Sequence, residues 1–72
     1  EGTLSYDFGS ERYEIAFDDG GRRMELHCGD TFQIQVGSEW KSTRIEFDWE
    51  EEDWNLVGVH DDDWSTGSRV RV

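Results

Sequence analysis

The sequence predicts an all-β fold: one small domain built as an antiparallel meander or SH3-like barrel of about six short strands. Three observations predict it. Apolar residues recur at alternate positions, as Leu4, Tyr6 and Phe8, then Tyr13, Ile15 and Phe17, then Phe32, Ile34 and Val36, which is the period of a half-buried strand. Turn-forming clusters separate these runs, at Gly9-Ser10, Asp18-Asp19-Gly20-Gly21 and Gly37-Ser38-Glu39, where glycine and aspartate supply the required backbone angles. No segment keeps a 3.6-residue apolar period, so no helix of useful length competes.

The elements follow in order. Gly9-Ser10 suits a two-residue type II′ turn, and that register sets Tyr6 opposite Tyr13, Leu4 opposite Ile15 and Asp7 opposite Arg12. Met24, Leu26 and Cys28 then alternate before Gly29-Asp30 interrupts the pattern, which fits two short strands or one bent at the glycine. From Trp40 the chain extends again, with Thr43, Ile45, Phe47 and Trp49 on one face and Ser42, Arg44, Glu46 and Asp48 on the other. A loop over residues 50–53 then pairs Trp49 with Trp54, Phe47 with Leu56 and Ile45 with Gly58. The strand 54–59 would carry acidic turns at its opposite ends, and a last strand runs from Ser68 to Val72.

Seventy-two residues make one domain, residues 1–72, and a chain of that size buries only about 60% of its unfolded surface. The core therefore leans on aromatic residues, each worth roughly 150–250 Å² of buried area. Trp40, Trp49 and Trp54 are expected inside, while Trp64, in a polar turn, suits core and partner contact equally. There is no proline, no low-complexity linker and no evident internal repeat.

Chemistry is sparse. A single cysteine, Cys28, excludes an intrachain disulfide, and its place in the alternation makes it a small core residue. The neighbouring His27 then faces solvent, so the two cannot form a nucleophile–base pair. Asp61-x-Asp63-x-Ser65 resembles the opening of a calcium loop, but Thr66 stands where that loop needs glycine and Val72 where it needs a bidentate glutamate. No enzyme activity, metal or cofactor is expected. No run approaches the ~18 apolar residues of a membrane span, no signal sequence opens the chain, and a start at Glu1 points to trimming or processing. The expected compartment is a reducing cytoplasm, with a monomer as the expected state.

The charge decides the class of partner. Net charge is −11, and it is unevenly spread. Residues 1–45 hold nine acids against five bases, residues 46–63 hold nine acids and no base, and residues 64–72 hold two arginines alone. Such a field repels nucleic acids and anionic membranes and steers the protein toward basic clefts. Trp49, Trp54, Leu56, Val57 and Val59 are interleaved with the acids, so this is a folded surface rather than a disordered tail.

GTLSY at Gly2–Tyr6, RYEI at Arg12–Ile15, LHCGD at Leu26–Asp30, the Trp40–Glu46 segment, WNLVG at Trp54–Gly58 and VRV at Val70–Val72 together resemble a small domain-of-unknown-function family of Gram-positive bacteria and their mobile elements. The resemblance runs nearly end to end and implies no established activity. By size and acidity the chain also resembles the phage-encoded anti-CRISPR proteins that act as DNA mimics. That likeness implies a Cas9–guide RNA complex as the basic, nucleic-acid-binding partner, with the adjacent-motif site blocked. Alternate strand residues lie roughly 6.6 Å apart, so carboxylates on one face can imitate a row of phosphates. The contact residues expected are Glu50, Glu51, Glu52, Asp53, Asp61, Asp62 and Asp63, with Glu46 and Asp48 adding field and Trp64 as an anchor. The alternative is a structural or adapter module of a mobile element.

Overall fold

The computed structural model describes residues 1–72 and contains seven strands and a single 3-10 turn at Asp61–Asp63. The strands are β1 (Gly2–Asp7), β2 (Arg12–Phe17), β3 (Arg23–Glu25), β4 (Thr31–Val36), β5 (Glu39–Asp48), β6 (Asp53–Leu56) and β7 (Arg69–Arg71). All pairings are antiparallel, in the order β3-β2-β1-β7-β4-β5-β6. Two three-stranded meanders thus flank β7, which comes last in the sequence and lies between β1 and β4. The all-β expectation holds, with one strand more than the alternation alone counted.

The core draws one or two residues from most strands. Leu4, Ile15, Leu26, Ile34, Ile45 and Val70 are fully buried, joined by Phe32, Leu56 and Val59. Each such side chain contributes roughly 1.5–3 kcal/mol through its removal from water. The core is therefore aliphatic; most aromatic residues line its margin instead. Val70 sits opposite both Gly2 and Ile34. At Gly2 the backbone comes so near β2 that an added Cβ would lie 2.6 Å from the Ala16 carbonyl oxygen, so only glycine fits.

The segment between β3 and β4 crosses the sheet. Leu26 N–H donates to the Tyr13 carbonyl at 2.9 Å, Gly29 N–H to the Ile45 carbonyl at 2.8 Å, and Ile45 N–H to Asp30 at 3.0 Å. This crossing settles the open question at Gly29 in favour of two strands. It also corrects the placement of Cys28, which is exposed: β3 stops at Glu25, and the Asp30 carboxylate accepts from the His27 N–H at 2.8 Å, holding residues 27–30 in a turn outside the alternation.

The first hairpin keeps its expected register, but its turn differs. Gly9 is not in the left-handed region; Glu11 is, with φ 58°. The loop therefore spans four residues, Phe8 to Glu11, and Phe8 leaves the core face to stand 85% exposed.

The second hairpin is shifted by two residues from its expected register. Ile45 pairs with Leu56, Phe47 with Trp54 and Asp48 with Asp53. The loop is Trp49–Glu52, because the Asp48 carboxylate takes the Glu50 N–H at 2.9 Å and starts the turn one residue sooner than the apolar alternation implies. Trp49 is consequently 79% exposed, not buried as expected. Pairing continues as far as Val57, whose N–H donates to Arg44 at 3.0 Å and whose carbonyl accepts from the Thr43 hydroxyl at 2.8 Å. Gly58, at φ 78°, then turns the chain.

Two hairpin tips and an acidic cleft as the candidate partner-binding site

The β1–β2 and β5–β6 hairpins are built to one plan. In each, an aspartate closes the strand and caps the turn: Asp7 Oδ1 accepts from Gly9 N–H at 2.9 Å, and Asp48 Oδ1 from Glu50 N–H at 2.9 Å. A glutamate then occupies the left-handed region, Glu11 at φ 58° and Glu52 at φ 54°. The residue after the aspartate is an exposed aromatic that packs edge-on against the aromatic two residues before it. Phe8 meets Tyr6 at 4.9 Å between centroids, and Trp49 meets Phe47 at 4.7 Å. Across each hairpin a second edge-on pair follows, Tyr6 with Tyr13 at 4.9 Å and Phe47 with Trp54 at 5.0 Å. Leu4–Ile15 and Ile45–Leu56 are the corresponding buried pairs beneath.

The tips are adjacent. Trp54 Nε1–H donates to the Glu11 carbonyl at 3.3 Å, and the Arg12 guanidinium lies 5.9 Å from the Trp54 ring centre. Curvature of the sheet brings its two halves together here. A cleft between the tips is lined by Tyr6, Phe47, Trp49 and Trp54, with Glu11, Glu52 and Asp53.

A second cleft lies on the other side of Trp54 and collects Asp48, Glu51, Asp53 and Asp61 beside Tyr13 and Trp64. The two acidic turns were expected at opposite ends of a strand; instead, the turn at Gly58 folds residues 59–63 back so that Asp61 joins the β5–β6 loop. The His60 imidazole accepts from Asp62 N–H at 3.2 Å and fixes the 3-10 turn. Tyr13, at the cleft wall, has its phenol pKa raised by burial first and by the Asp53 charge second. Trp64 is partly buried, packs edge-on against Tyr13 at 5.4 Å, and its indole Nε1 is buried without a partner.

The arginine ion pairs all lie outside residues 48–63, where they engage five of ten acids. Arg12 pairs with Glu25 at 3.9 Å, Arg23 with Glu14, Arg44 with Glu46 at 2.6 Å, and Arg69 with Glu1 and Asp18. The Arg69 fork holds the Asp18 carboxyl below the ordinary carboxylate range, chiefly through its hydrogen bonds. Asp48, Glu50, Glu51, Glu52, Asp53, Asp61, Asp62 and Asp63 pair with no arginine or lysine. Of the ten expected contact residues, Glu46 thus belongs with the neutralised acids. Asp48, Glu51, Asp53, Asp61 and Trp64 share the acidic cleft, Glu52 turns to the aromatic one, and Glu50, Asp62 and Asp63 are exposed beside them. Phe8 and Glu11 were missed. The signal was present as Asp-aromatic-x-x-Glu, at Asp7–Glu11 and again at Asp48–Glu52.

No three or more His, Cys, Asp or Glu side chains are arranged to hold a metal ion, and no helix is long and apolar enough to cross a membrane. No curated protein matches the chain. A crystal structure of a protein from Ruminococcus gnavus, determined by the Northeast Structural Genomics Consortium, superposes with a TM-score of 0.83 at 40% identity, covering 99% of this chain and 97% of that one. Residues 2–72 match the family described as a domain of unknown function, DUF5348, and the chain belongs to that family.

Proposed function

We propose that the domain is a binding protein whose acidic end occupies the basic, nucleic-acid-binding cleft of a partner, as an anti-CRISPR-type DNA mimic blocking the adjacent-motif site of a Cas9–guide RNA complex. One observation carries the reading. The arginines that pair do so with acids outside the 48–63 surface, while eight carboxylates on that surface have no arginine or lysine partner. Mutual repulsion makes such an arrangement unfavourable in the free protein, and a cationic partner relieves it. Each carboxylate can accept an arginine fork, and Cas9-type effectors read their adjacent motif with paired arginines inside positive channels.

Gel filtration of the domain with a Cas9–guide complex tests this directly, with and without DNA carrying the adjacent motif. Co-elution that added DNA abolishes supports it; absence of co-elution sinks the Cas9 assignment. In a cleavage assay, Asp61→Lys, Asp62→Lys and Asp63→Lys together should abolish inhibition, and full potency in that variant would remove these residues from the interface. A second reading, an adapter module of a mobile element, is favoured by Phe8 and Trp49, since exposed aromatics are characteristic anchors of protein interfaces. An adapter would capture its partner equally well with DNA present.

A further inference from the structure

We infer that the cleft between the two hairpin tips is a receptor for a single arginine side chain of a protein partner. Its walls are the rings of Tyr6, Phe47, Trp49 and Trp54, and its charged groups are Glu11, Glu52 and Asp53. That combination matches a planar cation on both counts. Guanidinium stacks on aromatic faces while its edge donates a fork of hydrogen bonds to carboxylate. A lysine ammonium satisfies the charge but not the shape, and it is more strongly hydrated.

Three features make this a built receptor rather than an acidic patch. The fold already uses Trp54 as a cation platform, since Arg12 sits 5.9 Å from its ring centre. The cleft is pre-organised: the Trp54 indole N–H bonded to Glu11 ties one tip to the other, and the Asp7 and Asp48 caps fix both loops, so little ordering remains to oppose binding. Lastly, the carboxylates of Glu11, Glu52 and Asp53 make no ion pair with an arginine or lysine of the chain, and the cleft volume, about 380 Å³, admits a side chain of this size. This inference rests on the preceding reading only in taking the partner to be basic. The receptor can be tested on the domain alone.

The test is an amide and indole NMR titration of the full chain with N-acetyl-arginine amide, and in parallel with N-acetyl-lysine amide and tetramethylammonium, at about 0.15 M ionic strength to suppress diffuse attraction. The arginine compound should shift the indole signals of Trp49 and Trp54 and the amides of residues 49–54 saturably, and more tightly than either alternative. Trp49→Ala, at an exposed position that leaves the core intact, should weaken this roughly three- to fivefold. Glu52→Gln should weaken it roughly two- to threefold, and Asp19→Asn, in the turn after β2, should leave it unchanged. Equal responses to arginine and lysine compounds, or shifts spread over all the acidic residues, would overturn the proposal. So would a response that survives Trp49→Ala and Glu52→Gln together. Arginine binding without capture of a nuclease would refute the DNA-mimic reading and leave the receptor standing; capture without arginine binding would do the reverse.

Discussion

Loops 7–12 and 48–53 share a backbone and differ in charge. Both run from a capping aspartate through an exposed aromatic to a left-handed glutamate, yet the first holds two acids and one arginine and the second holds five acids and no base. Gly9, Ser10 and Arg12 of the one stand where Glu50, Glu51 and Asp53 stand in the other. The turn therefore needs its capping aspartate and a left-handed fifth residue, and the third, fourth and sixth positions are free to vary. The turn itself does not require the like charges concentrated in the second loop, and the proposed binding role would use them.

The comparison can be broken most severely at the link between the loops. Trp54→Ala removes a ring packed on the core and the hydrogen bond to Glu11, and should cost about 3 kcal/mol in urea unfolding. The amide signals of Phe8–Glu11 should move although the substitution lies in the other hairpin; if they stay still, the tips are not joined. Next come the caps. Asp7→Ala and Asp48→Ala should each cost about 1 kcal/mol through loss of the turn hydrogen bonds. At low salt Asp48→Ala should cost less, because it also removes a repelled charge, and the two losses should converge as salt is raised.

A loop exchange sharpens the comparison further. Glu50→Gly with Glu51→Ser should keep the conformation and raise stability by about 0.5 kcal/mol at low salt, while abolishing capture of a basic partner. Glu11→Gly and Glu52→Gly should each gain about 0.3 kcal/mol, since relief of the left-handed strain slightly exceeds the entropy cost of glycine. The gain should be larger at Glu52, and the excess measures the repulsion there.

The best-paired acid, Asp18, should also report on the fold under acid. Folding lowers the Asp18 carboxyl pKa through Arg69, so its contribution is complete above the unfolded value of about 3.9 and is lost as pH falls through the lower folded one. A melting series across this range should show a loss that Asp18→Asn removes.

Much of the fold was legible because period-two alternation reports burial directly. Leu4, Ile15, Ile34 and Ile45 all sit where the pattern puts them. Legibility failed where a polar side chain captured the backbone. Asp48 and Asp30 draw nearby N–H groups into turns, displacing Trp49 and Cys28 from positions that hydrophobicity alone assigns to the interior. The acidic stretch could be read as one surface, but its division into a carboxylate cleft and an aromatic one could not, because that depends on Gly58 reversing the chain and on Trp54 standing between them. The pairing of Arg44 with Glu46 was foreseeable from their alternation onto one face. The proximity of Glu11 to Trp54 joins residues far apart in the chain, and no local pattern announces it.

The position of β7 has a consequence for biogenesis. Since β7 supplies the backbone ladder between β1 and β4, a chain that stops short of it has no strand to join the two halves of the sheet. Closure of the sheet therefore depends on residues 69–71, the last of its strands to be synthesised.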